Sequence, residues 1–309
     1  MKKPLAENQA DRASYCVALA EQARDEMFGP KRKTWLDRLE QEYSEIQAAL
    51  RWFVEQGEAK QGLRLVIGLR EFWLGSDHIK AGRNWLETFL AHPQVSEPSK
   101  LRAQGLDDLA ALAFWQNDKE SVRALTLEAL AMRRSIDDKQ GLVVSLIHAG
   151  NFELMFEKNP SRARSYYEER QVILQELYGD RGVHVPMNTM GNLALLEGDY
   201  TTANRLLRQA LEAQREEEEL WVINYTLDSL AGIAANQGDP KRALRLAGAS
   251  EALRSSMGII HSPVARAWVD EILKPAWQAL EPETANETWA EGLAMTWEHA
   301  VSYGLENPS

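Results

Sequence analysis

Polar side chains recur at matching places in four stretches of this chain that are otherwise rich in apolar residues. Carboxylate, amide and imidazole groups take part in hydrogen bonds, so a row of them could bind a polar ligand or a partner. The candidates for such contacts are Asp107, Asp108, Trp115, His148, Asn151, Asn188, Asn192 and Asp228. A structural role is the alternative interpretation, in which these groups bond to the adjacent helix or to water.

The spacing of these residues does not predict catalysis. The chain has no Gly-x-x-x-x-Gly-Lys-Ser/Thr loop for phosphates and no His-Glu-x-x-His metal motif. Asp107 and Asp108 are adjacent, so on a helix they point to different sides and do not share a proton. No sequence pattern places a nucleophile beside a base. We therefore expect a protein without enzymatic activity, cofactor or metal.

Short turn signals at a period of 40 to 41 residues indicate the elements that carry these side chains. The triplets span residues 76–78, 117–119, 158–160, 198–200 and 238–240, and the middle residue is always Asp or Asn. Such a side chain can cap a helix N-terminus, and Gly198 and Gly238 suit the left-handed end of the preceding helix. Each triplet therefore predicts a turn between two helices, and the period predicts stacked helical hairpins.

Five hairpins follow from these signals, and the predicted fold is all-α. The helix pairs are expected at 59–74 and 78–91, 99–115 and 119–135, 141–157 and 160–177, 184–196 and 200–214, and 220–236 and 240–256. Residues 59–257 thus form the array, while residues 1–58 form an N-terminal helical segment packed on it. Residues 258–309 form C-terminal capping helices, because an open end of such an array exposes apolar surface.

The N-terminal segment carries two helix signals. One helix is predicted over residues 5–28. A second, long helix is predicted to begin at a cap on Thr34, with Asp37 three residues later, and to end at Gln56-Gly57. Its apolar residues recur every three or four positions, so this seam should pack against another helix.

Beyond residue 257 the period is lost and other helix signals appear. Helices are predicted over 264–280, with a kink or break at Pro275, then from Pro282, and then after a cap at Thr296. Four tryptophans lie in this tail: Trp268, Trp277, Trp289 and Trp297. They favour a cap that closes the array, and an aromatic ligand cage is the alternative.

Charge and composition argue against several classes of protein. A formal charge of −11 argues against direct binding of duplex DNA, so the basic runs at 31–33 and 133–134 are expected to be solvated surface. The four glutamates at 216–219 are also expected to be solvated rather than to bind a cation. There is no run of eighteen apolar residues and no secretory signal, and the single cysteine, Cys16, favours a reducing cytoplasm.

The pattern around Gly191-Asn192, Gly198-Asp199-Tyr200, Ala203, Leu207 and Ala210 resembles a tetratricopeptide repeat of about forty residues. Residues 35–43, 48–52, 80–86 and 289–300 resemble the region that follows the ATPase and winged-helix modules in bacterial STAND regulators of the LuxR, AfsR and MalT type. The two resemblances together cover most of the chain. One difference is that the family's usual Asn-Leu-Arg is Glu45-Ile46-Gln47 here, so the contacts of that Asn and Arg are not expected.

This resemblance implies a right-handed superhelical solenoid that receives an effector or partner protein and controls the ATPase. The chain begins where the ATPase would end, so it is either an excised sensor domain of a longer parent protein or a freestanding relative. We expect a cytoplasmic, non-enzymatic sensor module of a transcriptional regulator. Its concave face would bind a protein, a peptide-like segment or a small-molecule effector, without membrane or nucleic-acid contact. The alternative is a freestanding scaffold that holds proteins together without sensing.

Overall fold

The computed structural model describes residues 9–29, 31–179 and 187–306, and all regular secondary structure in these residues is helical. The predicted all-α class is confirmed, whereas the right-handed superhelix stays a prediction. The chain forms two compact units, Met1–His148 and Ala149–Ser309. No helix in the described part of the chain combines the length and apolar composition that crossing a lipid bilayer requires.

Unit 1, the first of the two units, begins with four helices, of which the first, third and fourth pack against one another. In the described residues, the α-helices that lie entirely within unit 1 are α1 (Gln9–Glu26), α2 (Arg32–Gln41), α3 (Tyr43–Gln56), α4 (Ala59–Gly68), α5 (Arg70–Leu74), α6 (Ile79–Leu90), α7 (Lys100–Trp115) and α8 (Lys119–Ser135). A short 3-10 turn, Pro93–Val95, separates α6 from α7, and helix α9 (Lys139–Met155) crosses the boundary between the units.

The second unit, unit 2, continues the alternation of long helices and short turns. Its further helices are α10 (Pro160–Tyr178), α11 (Met187–Leu196), α12 (Tyr200–Glu216), α13 (Leu220–Asn236), α14 (Pro240–Ser256), α15 (Pro263–Ala279), α16 (Pro282–Leu293) and α17 (Trp297–Leu305). Consecutive helices pack as pairs α11 with α12 and α13 with α14. Residues 5–8 and 184–186, which were predicted to be helical, lie outside the described residues.

Side-chain caps begin four of the predicted second helices. Each capping oxygen accepts a hydrogen bond from the backbone N–H three residues later, and the caps are Asp118, Asn159, Asp199 and Asp239. The residue before each cap has left-handed backbone, with φ between 53° and 85°, at Asn117, Lys158, Gly198 and Gly238. The predicted sequence of helix end, turn and helix start is therefore confirmed at four of the five triplets.

The first triplet differs from the other four. Helix α6 begins after His78, with no side-chain cap, and Ser76 Oγ instead accepts a hydrogen bond from the backbone N–H of His78. The small residue that lets the two helices approach is Gly82, because a Cβ at Gly82 would lie 2.5 Å from Trp73 Cγ. In the later hairpins, the residue five positions after the start of each triplet is buried: Val122, Ala163, Ala203 and Ala243.

Two predicted long helices are interrupted in unit 1. The second helix begins at Arg32 rather than at Thr34, so the predicted cap at Thr34 is wrong, and Glu42 separates α2 from α3. The predicted helix 59–74 is divided at Leu69, where the Val66 carbonyl accepts from the Leu69 N–H and from Trp73 Nε1. The apolar seam nevertheless buries as expected, since α3 packs against α1 and α4.

The C-terminal helices of unit 2 pack on its last hairpin. Helices α14 and α16 approach closely, because a Cβ at Gly292 would lie 2.2 Å from the Arg245 carbonyl oxygen. The predicted break at Pro275 does not occur. Pro275 lies on the exposed side of α15, where water can solvate the carbonyl that loses its helical partner. The predicted cap at Thr296 is confirmed, and three of the four tail tryptophans pack against the core of the unit: Trp268, Trp289 and Trp297.

Candidate functional site

Asp107 lies at the centre of a buried ion-pair cluster in unit 1. Its carboxylate on α7 accepts hydrogen bonds from Arg133 Nη2 at 2.8 Å and from Ser145 Oγ at 2.7 Å. Arg133 also pairs with Asp138. Burial raises the pKa of Asp107, and the hydrogen bonds from Arg133 and Ser145 partly oppose that rise. This cluster therefore joins helices α7, α8 and α9 through groups that are almost wholly removed from water.

Asp108 is buried on the same helix but faces a different arginine. Arg70 Nε lies 3.6 Å from Asp108 Oδ1, and Asp108 Oδ2 has no hydrogen-bond partner among the described residues. Burial raises the pKa of Asp108 to about 7, although the charges of Arg70 and Arg24 act to lower it. The fold therefore holds this carboxyl group in surroundings that favour its neutral form.

His148 lies on α9 near the same cluster. Its Nδ1 is 3.8 Å from Asp107 Oδ1, but burial lowers the pKa of His148 to about 3, and the charges of Arg70 and Arg133 act in the same direction. The imidazole is thus neutral at pH 7 and forms no ion pair with Asp107. Its side chain keeps 17% of its surface exposed, although Nδ1 itself is buried and has no hydrogen-bond partner among the described residues.

Asn188 is part of an uncharged version of this arrangement in unit 2. Asn188 Nδ2 donates to Thr226 Oγ1 at 2.5 Å, and Thr226 Oγ1 donates to Gln214 Oε1 at 2.8 Å. Asn192 Nδ2 donates to Asn188 Oδ1 at 3.2 Å. These hydrogen bonds join α11, α12 and α13, and both asparagines remain partly exposed.

Asp228 forms the third polar cluster of this kind. It is buried on α13, accepts a hydrogen bond from Arg254 Nη1 at 3.1 Å and lies 3.5 Å from His261 Nε2. Burial raises the pKa of Asp228 to about 6, and Arg254 opposes that rise. Burial also lowers the pKa of His261 to about 4, so the imidazole is neutral at pH 7 and Arg254 supplies the positive charge.

The partners of these residues follow a constant spacing that the sequence reasoning missed. Arg133 and Arg254 follow their Asp partners by 26 residues. Gln214 follows Asn188 by the same 26 residues and is linked to it through Thr226. Ser145 and Thr226 follow Asp107 and Asn188 by 38 residues. The first offset reaches the second helix of the same hairpin, and the second offset reaches the first helix of the next. A search for polar residues at these two offsets would have found them.

The structure thus divides the eight candidate residues by exposure. Three are almost wholly buried: Asp107, Asp108 and Asp228. Asp107 and Asp228 accept hydrogen bonds from arginine side chains, and Asp108 lies beside Arg70. Five keep some exposed surface: Trp115, His148, Asn151, Asn188 and Asn192. Asn151 Oδ1 accepts a hydrogen bond from the Tyr167 hydroxyl at 2.8 Å, and Trp115 packs beside the core of unit 1. A ligand-binding role for these residues stays a prediction.

The expectation that both basic runs are solvated surface is wrong for one residue of each run. Arg32 is buried and donates to Glu71 and to the Met27 carbonyl oxygen. Arg133 is buried in the Asp107 cluster, whereas its neighbour Arg134 is exposed. The four glutamates at 216–219 are exposed, as expected for solvated residues. Within the described residues, no three His, Cys, Asp or Glu side chains are grouped so that they could hold a metal ion.

Unit 1 also contains a pocket that the sequence analysis did not predict. It has a volume of about 350 Å³, and it is lined by α1, by the aromatic pair Trp52 and Phe53 on α3, and by Arg64 on α4. Arg64 Nη2 donates to Glu21 at 2.6 Å, and both of these side chains line the pocket. This volume falls in the range of small-molecule sites, which combine apolar walls with a few polar groups.

Comparison with known proteins relates part of the chain to transcriptional regulators. It is 29% identical over 120 residues to proteins named "Putative HTH-type transcriptional regulator" in Mycobacterium bovis and in two strains of Mycobacterium tuberculosis. This match covers 37% of the chain and 14% of each relative, so the chain matches only a small part of these much longer proteins. No family model matches the chain.

A solved structure with a similar arrangement of helices is that of BtubC (BKLC) from P. vanneervenii. The two chains are 15% identical, with a TM-score of 0.48, over 82% of this chain and 93% of the other.

Proposed function

We propose that this chain is a non-enzymatic sensor module of a bacterial transcriptional regulator, which binds an effector or a partner protein. The observation that carries the proposal is the 29% identity to HTH-type regulators over 120 residues. The helical hairpins support it, because stacked hairpins bind ligands with the side chains of a continuous row of helices. A tetratricopeptide array of the STAND regulator type is part of this proposal.

The exposed side chains of the first helices are the proposed contact groups. Trp115 and His148 offer an aromatic ring and a neutral imidazole in unit 1, and Asn151 and Asn192 offer amide groups in unit 2. Asp107 and Asp228 are poor choices for testing this by substitution, because each neutralises a buried arginine. Their loss would weaken the fold and would reduce binding for that reason alone.

The proposal is tested by isothermal titration of effectors found in a thermal-shift screen of metabolites and peptides. We expect saturable binding that weakens at least tenfold, about 1.4 kcal/mol, in Trp115→Ala if the site lies in unit 1. If the site lies in unit 2, the same loss is expected in Asn151→Ala or Asn192→Ala. Gln175→Ala is the matched control, because Gln175 is exposed on a second helix, α10. Its affinity should equal that of the unchanged protein.

Two results would each contradict one part of this proposal. Effector binding that none of the three substitutions changes would remove the first helices from the binding surface. A partner protein that binds without any ligand-dependent change in X-ray scattering or proteolysis would indicate a scaffold instead. If Trp52→Ala in the α1–α4 pocket of unit 1 abolishes effector binding, the sensor role stands and the site lies in that pocket.

A further inference from the structure

Four arginines are buried in the described part of the chain, with exposures between 4% and 7%: Arg32, Arg133, Arg170 and Arg254. Three of them form ion pairs with a buried or partly buried carboxylate. The pairs are Arg32 with Glu71 at 3.1 Å, Arg133 with Asp107 at 2.8 Å, and Arg254 with Asp228 at 3.1 Å. Arg170 is the exception, because no carboxylate among the described residues pairs with it.

Arg170 keeps its charge without an ion-pair partner among the described residues. Its Nε and Nη1 are buried and have no hydrogen-bond acceptor among the described residues. Burial lowers the pKa of Arg170 to about 10, so the guanidinium is still a cation at neutral pH. Tyr167, one turn earlier on α10, is neutral because burial raises the pKa of its hydroxyl, which donates to Asn151. A buried cation without an anion destabilises the folded state.

Helix packing does not explain an arginine at this position. In three other hairpins the residue seven positions after the small residue of the second helix is itself small and buried: Ala129, Ala210 and Ser250. Arg170 follows Ala163 by the same seven positions and lies on the same buried face of its helix. A small residue at this position suits two closely packed helices, so a long cationic side chain indicates another role.

We propose that Arg170 binds an oxyanion, either a carboxylate or a phosphate group of a ligand, within unit 2. The planar guanidinium donates two parallel hydrogen bonds to such a group, and a buried site strengthens each of them. This oxyanion site does not depend on a regulatory role for the chain, so the two proposals can fail separately.

The first test is the sign of a stability change. In Tris chloride buffer without oxyanions, we expect Arg170→Met to raise the midpoint of thermal unfolding by a few degrees, about 2–4 °C, because it removes an unpaired buried charge. Arg254→Met is the matched control in the same unit, and it should lower the midpoint because it leaves Asp228 buried without its partner. Arg170→Ala, which introduces the small residue of the other hairpins, is the second variant.

The second test is direct binding of simple oxyanions to the full chain. The probes are acetate and citrate for carboxylates, and inorganic phosphate and phenyl phosphate for phosphates, at constant ionic strength up to about 50 mM, which covers millimolar affinity. Phosphate also stabilises proteins by exclusion from their surface. Binding is therefore measured as the difference in unfolding midpoint between the unchanged protein and Arg170→Met at the same probe concentration. We expect at least one probe to raise the midpoint of thermal unfolding of the unchanged protein in a saturable way, and we expect no such rise in Arg170→Met. The same probe should shift the NMR resonance of the Arg170 Nε–H group.

Three results would overturn the proposal. Loss of stability in both Arg170→Met and Arg170→Ala, comparable to that of Arg254→Met, would show that the chain itself supplies a partner for Arg170. An equal response to the probes with and without Arg170 would place any anion elsewhere. No saturable response to any of the four probes would show that the buried charge is not a binding group. Which pair of probes binds distinguishes a carboxylate ligand from a phosphate ligand.

Discussion

Asp108 is the residue whose ionisation should depend most clearly on the folded state. Its pKa of about 7 lies above the ordinary value of 3.8, mainly because of burial, and the neighbouring acids Asp107 and Glu71 raise it further. The charges of Arg70 and Arg24 lower the pKa but do not outweigh the effect of burial. Between these two pH values the folded protein binds the proton more tightly than the unfolded chain does. The contribution of Asp108 to the free energy of unfolding therefore falls as pH rises from about 4 to 7.

Asp108→Asn should remove this pH dependence, because the amide does not ionise. Relative to the unchanged protein, we expect the variant to gain on the order of 2 kcal/mol of stability between pH 5 and pH 8. Urea unfolding at unit pH steps measures the difference. The lowered pKa values of His148 and His261 make the free energy of unfolding rise with pH below about pH 6.5, which is opposite to the effect of Asp108. Both histidines are present in both proteins, so their contributions largely cancel in the difference.

Asp118→Asn is the control for this pH series. Hydrogen bonds from Ser121 and Arg83 lower the pKa of Asp118, so its contribution to stability is already complete above its ordinary pKa and is lost only in stronger acid. The difference between this variant and the unchanged protein should therefore be constant from pH 5 to pH 8. A constant difference for Asp108→Asn as well would contradict the assignment of a raised pKa to Asp108.

At the scale of the helices, the capping residues make separable contributions to stability. Asp239 Oδ1 accepts the Arg242 backbone N–H at 3.0 Å, so Asp239→Ala should destabilise the protein by about 1 kcal/mol. Asp77 occupies the same place in the first triplet but is exposed and caps nothing, because Ser76 accepts the His78 N–H. Asp77→Ala should change the free energy of unfolding by less than about 0.5 kcal/mol. Equal losses in the two variants would contradict the observed difference between these turns.

The left-handed turn residues give a second prediction at this scale. Lys158 has φ of 53°, a conformation that a side chain disfavours and glycine adopts readily. Lys158→Gly should therefore stabilise the protein by roughly 0.5–1 kcal/mol. The reciprocal change, Gly198→Ala, should destabilise it, because Gly198 has φ of 80° at the equivalent position. Chemical denaturation of both variants measures the pair, and a loss of stability in Lys158→Gly would argue against left-handed backbone there.

The helix boundaries that could be predicted from sequence are those fixed by local chemistry. Helices α7, α8, α13 and α14 begin and end within one residue of their predicted limits, because caps and left-handed turns lie beside them in the chain. The division at Leu69 could not be predicted in this way. It coincides with a hydrogen bond from the Trp73 indole N–H to the Val66 carbonyl, a side-chain contact that no turn or capping signal marks. The start at Arg32 similarly coincides with an ion pair to Glu71, 39 residues away.

At the scale of the whole molecule, the period of the sequence predicted the hairpins but not the polar layers between them. The sequence indicates that Asp107, Asn188 and Asp228 match one another, but it does not identify the polar residues 26 positions later as members of the same clusters. A period found from turns alone does not show which side chains of two helices meet. The offset of 26 depends on the length of both helices and of the turn, which the structure provides. The buried cation at Arg170 was missed for the same reason.

The charge of the whole chain leads to a last prediction, which concerns nucleic acid. The net charge is −11, and the structure removes Arg32, Arg133 and Arg254 from the surface by pairing them with carboxylates. The 46 Asp and Glu side chains outnumber the 35 Lys and Arg side chains, so the chain has no net positive charge with which to displace counterions from DNA. Any regulatory effect of this chain should therefore act through a partner or a linked module. We expect no change in fluorescence anisotropy when the chain is added to a labelled 20-base-pair duplex at about 50 mM salt, where electrostatic binding is strongest. Micromolar binding that weakens steeply with salt would contradict this expectation. Loss of that binding in a triple variant, Lys31→Ala, Lys33→Ala and Arg134→Ala, would then locate it at the exposed residues of the two basic runs.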